Sequence, residues 1–132
     1  ATGYENDDHL VTVPHRGDKP LYDEFNQRIK AIMEARGDKK IGFFTMNARV
    51  FLRLLKAMQI CNYTYPTDYG VATYEEFDWM LTMRPEISRI KQDSREIGKQ
   101  AAQMLHNKLE HPEQKQPETI IIPTSLVIKD SF

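Results

Sequence analysis

The spacing of apolar residues in this chain keeps switching between the short runs of strands and the i, i+3, i+4 recurrence of helices. That alternation constrains the fold more than any other feature. A strand, a helix and a second strand in succession need a crossover, and repeated crossovers build a parallel sheet covered by helices on both faces. His9–Val13 reads as a short strand, closed by Pro14 and Gly17. Pro20 suits the first turn of a helix, and Leu21, Phe25, Ile29, Ile32 and Met33 supply its apolar stripe. Gly37 stands where a left-handed helix stop is expected. Lys39–Met46 is a mostly apolar strand with little alternation, which predicts burial on both faces.

Asn47 suits the cap of the next helix, whose stripe is Val50, Phe51, Leu54, Leu55 and Met58. After a connection containing Pro66, Tyr69–Tyr74 makes a third strand, residues 75–83 a short helix or turn, and Glu86–Ile90 a fourth strand. Asp93 then reads as a helix cap, with Glu96 placed to complete a capping box. Ile97, Ala101, Met104, Leu105 and Leu109 carry the inward face of that helix. A polar loop over His111–Pro117 leads to two short strands, at 119–122 and 125–128. The pattern is that of an α/β three-layer αβα sandwich with a mainly parallel sheet.

Composition narrows the function. At 132 residues the chain is about one domain. Its 18 Lys and Arg against 19 Asp and Glu give a net charge of −1, which argues against a surface that binds nucleic acid. No apolar run approaches the ~20 residues of a membrane span, and the polar, acidic first eight residues are not a signal segment. The one cysteine, Cys61, excludes an internal disulfide and a multi-cysteine zinc site. These features point to a soluble, cytoplasmic domain that binds no membrane and needs no cofactor.

Open parallel sheets bind ligands outside the carboxyl ends of their strands. Chemistry is therefore expected at Met46-Asn47, Tyr74-Glu75 and Lys91-Gln92. Asn47 could offer one donor and one acceptor to a ligand, or simply cap its helix. Glu75 and Glu76 could hold sugar hydroxyls or a cation, or form an acidic helix start. Gln92 could bond a ligand or close a turn. Asp7, Asp8, His9 and His15 match no metal-ligand spacing, and His106 and His111 read as surface groups near a helix end. No phosphate-binding glycine loop occurs, nor a nucleophile with its base, so an enzyme is not expected.

The stretch Asn47-Ala48-Arg49-Val50-Phe51 through Pro66-Thr67-Asp68-Tyr69-Gly70-Val71-Ala72-Thr73-Tyr74-Glu75-Glu76 resembles the lactose/galactose repressor family of bacterial transcription regulators. That family shows N-D, a helix with alanine and glycine, V-P-x-D, then a strand ending G-F-D-D. Pro85-Glu86-Ile87-Ser88-Arg89-Ile90-Lys91-Gln92, continued by Ile97-Gly98 and Ala101, is similar to its P-x-L-T-T-I-x-Q and I-G-x-x-A. Pro123-Thr124-Ser125-Leu126-Val127-Ile128-Lys129-Asp130-Ser131 is similar to its L-P-x-x-L-V-x-R-x-S ending. The likeness runs from Ile41 onward. Ala48 replaces an aspartate, Phe51 and Arg53 replace small residues, and Glu75-Glu76 replaces two aspartates, changes that reshape a polar pocket.

The resemblance implies a periplasmic-binding-protein-like (type I) lobe. Residues 1–132 would be the distal part of an effector-binding sensor domain, mostly its second lobe. The helix-turn-helix head, the first lobe and the second lobe's opening strand–helix unit, which carries a ligand-gripping arginine in the family, would lie outside it. It implies a sugar or sugar derivative as effector, contacted by Asn47, Glu75 and Gln92, and DNA binding only through the missing head. It also implies a homodimer. A secreted or periplasmic sugar-binding protein of the same fold is the alternative. By the same analogy the helix after Asp93 packs on the absent lobe, so in the isolated chain it should dock on a second copy or fold back on its own sheet.

Overall fold

The computed structural model describes Val11, residues 19–113 and residues 119–132. The expected first strand at 9–13, apart from Val11, the side chain of Leu21 and the four N-terminal residues weighed as metal ligands lie outside the described residues. The order is α1 (Lys19–Ala35), β1 (Ile41–Thr45), α2 (Ala48–Ile60), β2 (Tyr69–Tyr74), a 3-10 turn (Asp78–Thr82), β3 (Ser88–Lys91), α3 (Ser94–Glu110) and β4 (Ser125–Val127). The four strands form one sheet in the order β1-β2-β3-β4, with β1, β2 and β3 parallel and β4 antiparallel to β3. The architecture is α/β with a mixed, mostly parallel open sheet. Among the described residues no helix is long and apolar enough to cross a membrane.

One face of the sheet carries the core. α1 packs on α2, and α2 packs on β1 and β2. Phe25, Ile29 and Met33 from α1 meet Phe51, Leu54, Ala57 and Met58 from α2, above Tyr69 and Val71 of β2. Two residues that depart from the family pattern are used here. Phe51 is fully buried and stacks on Trp79 of the 3-10 turn at 6.0 Å. The Arg53 guanidinium lies 4.0 Å from the centre of the Tyr22 ring and donates to its hydroxyl at 3.0 Å, tying α2 to α1. Gly37 ends α1 at φ +58°, the left-handed turn that glycine adopts at no steric cost.

The other face is thinly covered. Phe132 lies against Gly42 and Gly70, close enough that a Cβ at Gly42 would stand 2.9 Å from its ring. Ser131 locks the same tail down: its hydroxyl accepts from Ser88 N at 2.8 Å and donates to the Val71 carbonyl at 2.7 Å. Three expectations fail on this side. β1 is not buried on both faces; its residues alternate and Phe44 is 52% exposed, because both packed helices lie on the opposite face. α3 forms and is capped by Asp93, which accepts from Glu96 N at 2.9 Å, but it buries no residue. Its stripe is not folded back on the sheet: Ile97, Ala101 and Met104 look across an open groove to Ile120 and Ile122, while Leu105 and Leu109 are 60% and 73% exposed. Residues 119–122 form no strand, since no neighbouring strand offers them backbone partners among the described residues.

Candidate functional site

Parallel pairing fixes where the three predicted residues sit. Thr45 of β1 lies opposite Thr73 of β2, and Tyr74 lies opposite Ile90 of β3. Asn47, Glu75 and Gln92 follow these strands by one or two residues, so the structure brings all three to one edge of the sheet. Two threonines brace that edge from within: Thr45 donates to the Ala72 carbonyl and Thr73 to the Thr45 carbonyl, each at 3.4 Å.

Asn47 caps α2. Its backbone is extended, and its side-chain carbonyl accepts from Val50 N at 3.0 Å. The carbonyl oxygen is thus engaged, and the amide NH2 is the group it can turn to a ligand. Glu75 sits at φ +153°, a region that favours glycine and costs other residues about 1–3 kcal/mol. Its Oε2 accepts from Ala48 N at 2.9 Å, bridging the end of β2 to the first turn of α2. Gln92 is half-buried between β3 and the Asp93 cap.

Glu76, weighed with Glu75 for hydroxyls or a cation, has another task. One oxygen bonds Arg89 Nε and the other lies 2.9 Å from Lys91 Nζ. The Lys91 ammonium and then the Arg89 guanidinium hold its carboxyl below the ordinary range. Arg89 is 7% exposed and donates also to the Ile87 carbonyl at 2.9 Å. Sequence reading did not single out Arg89. The only available signal was a charged residue at an interior position of a predicted strand, which would need a counter-charge if buried, without saying which. His106 pairs with Glu110 and His111 with Glu113, each at 3.4 Å on the surface, and Cys61 is half-buried.

This fold and edge define a class. The family described as periplasmic binding protein-like domain matches residues 3–132. The chain belongs to that family, and the match reaches back over α1, ahead of the Ile41 at which the sequence likeness was first legible. The chain is 20% identical over 118 residues to the HTH-type transcriptional regulator KdgR of Bacillus subtilis, covering 89% of this chain and 34% of KdgR. Its fold matches a LacI family transcriptional regulator from Enterococcus faecium, with bound ribose, at a TM-score of 0.69 and 20% identity, over 92% of this chain and 43% of that one. A LacI family regulator, CCPA from Weissella paramesenteroides with bound glucose, is 29% identical with a TM-score of 0.55, over 68% of this chain and 30% of its own. The chain thus spans less than half the length of each of these relatives.

Proposed function

We propose that this chain is the distal part of the effector-sensing module of a LacI-type transcription regulator, mostly its second lobe. A sugar or sugar derivative would bind at the carboxyl edge of the sheet, between this lobe and a first lobe. Asn47 would donate from its NH2, Glu75 would accept hydroxyl hydrogens on its remaining oxygen, and Gln92 would do both. Binding would favour one arrangement of the two lobes and so change the affinity of a separate DNA-binding head, with no bond made or broken. The observation that carries this reading is the convergence of the three residues on one sheet edge, on a fold whose relatives are regulators solved with sugars.

The exposed Leu105 and Leu109 of α3 and the exposed Ile121 support the division into lobes, because they offer apolar surface that a first lobe would cover. The parent protein would act as a cytoplasmic homodimer. A secreted sugar-binding protein draws no support from the three relatives above, all of them transcription regulators.

Calorimetric titration of the parent protein with ribose, glucose and cellobiose tests the proposal. At least one should bind, and Gln92→Ala or Asn47→Ser should weaken it about tenfold, roughly one charged or two neutral hydrogen bonds. Serine keeps the helix cap while removing the amide donors. Folded variants that bind as the natural protein does would refute the assignment.

A further inference from the structure

The N-terminus of a 13-residue helix ordinarily attracts anions, because its first amides lack partners and its dipole is positive there. In α2 two of those amides, Ala48 N and Val50 N, are already engaged by side chains, and the first intrahelical bond follows at Phe51. Ala48 N donates to Glu75 Oε2 at 2.9 Å, Val50 N to Asn47 Oδ1 at 3.0 Å, and Phe51 N to the Asn47 carbonyl at 3.0 Å. The anion at this helix end is the protein's own carboxylate. β2 delivers it from a backbone conformation, φ +153°, that favours glycine. One residue on, the Glu76 carboxylate occupies both Arg89 and Lys91, the cations of the β3 end. An incoming carboxylate or phosphate would meet the Glu75 charge, and the edge's helix dipole and β3 cations are already matched from within.

We propose that Glu75 is a specificity-determining residue: fixed on the Ala48 amide, it restricts the effector to an uncharged polyol and shuts out sugar acids and sugar phosphates. This rests on the sensor reading above and sharpens it. A hydroxyl can give its hydrogen to the second Glu75 oxygen, whereas the anionic group of a sugar acid or sugar phosphate brought to the α2 end meets a like charge there and is repelled, whatever hydroxyls the rest of the molecule carries.

Two arms test the proposal separately. In the full 132-residue chain, inorganic phosphate is titrated while the backbone amides of Ala48 and Arg49 are followed by NMR. The natural chain should show no saturable shift. Glu75→Gly, which accepts the same φ without strain, should gain one in the millimolar range. Saturable phosphate binding by the natural chain, or none in the glycine variant, would overturn the block. In the parent protein, glucose, ribose and galactose are compared by calorimetry with gluconate, galacturonate and glucose 6-phosphate. The best neutral sugar should bind at least tenfold tighter than any of the anions, and Glu75→Gln should bring that ratio down at least fivefold. A natural protein that prefers an anion, or a glutamine variant with an unchanged ratio, would refute the specificity role. Binding of no sugar at all would refute the sensor reading together with it, while the amide titration still decides whether Glu75 keeps anions off α2.

Discussion

Replacing Glu76 by glutamine removes one charge and keeps the shape. The carboxylate holds a buried guanidinium, Arg89 at 7% exposure, and an ammonium, Lys91, whose side chain is 53% exposed. The Lys91 pair is worth little, ~0–1 kcal/mol, because water screens it. The Arg89 bond is charge-assisted and mostly dehydrated, which sets it at about 1.5–3 kcal/mol. Arg89 keeps its bond to the Ile87 carbonyl, so the loss stays well below that of a fully orphaned buried ion. Glu76→Gln should therefore cost about 2 kcal/mol, lowering the urea midpoint by roughly 1 M for a slope of ~2 kcal/mol/M.

The pH dependence has a definite sign. The carboxyl is held below its ordinary value of 4.5 in the folded state, by Lys91 first and Arg89 second. Its contribution is then present above about pH 4.5 and is lost as pH falls through the lowered folded value. Urea unfolding from pH 7 down to pH 3 should show the natural chain and the variant converging at the acid end. A glutamine variant as stable as the natural chain at pH 7, or a gap that stays constant with pH, would refute the reasoning.

Phe51→Ala should cost about 3–5 kcal/mol in urea unfolding, since the ring is fully buried and stacked on Trp79; a loss under 1 kcal/mol would contradict the core described here. In the isolated chain the amides of α3 should exchange with solvent far faster than those of β2, because a 17-residue helix with no buried side chain has little but its own propensity to hold it; equal protection would mean that its stripe is covered. The chain alone should bind duplex DNA only weakly and without sequence preference at ~150 mM salt, given its net charge of −1, and sub-micromolar binding in a mobility assay would contradict this.

What was legible in the sequence is what local chemistry decides. The α2 stripe, the Asn47 and Asp93 caps and the Gly37 stop follow from spacing and from the conformations those residues accept, and the structure shows each of them. The shared edge of Asn47, Glu75 and Gln92 followed from alternation, because parallel strands all end on one side; the strand order did not. Partners were not legible. The apolar run of β1 announces burial without naming what covers it, and Phe44 stays exposed because both packed helices lie on the other face. The α3 stripe has the right period for an inward face, yet periodicity does not say which body it packs on. Glu76 and Arg89 are thirteen residues apart and meet only through the pairing of β2 with β3, which no local pattern encodes. The bond from Ala48 N to Glu75 is likewise a product of the fold: the missing aspartate at 48 and the longer carboxylate at 75 look unrelated until the two strand ends stand side by side.

The most direct test of the account is a crystal structure of the parent protein grown with its sugar effector. It predicts a sugar at the carboxyl edge of this sheet, with Asn47, Glu75 and Gln92 within hydrogen-bond distance (≲3.2 Å) and the first lobe closing over it. A sugar bound at the opposite edge, or on the α1–α2 layer with these three side chains untouched, would contradict it.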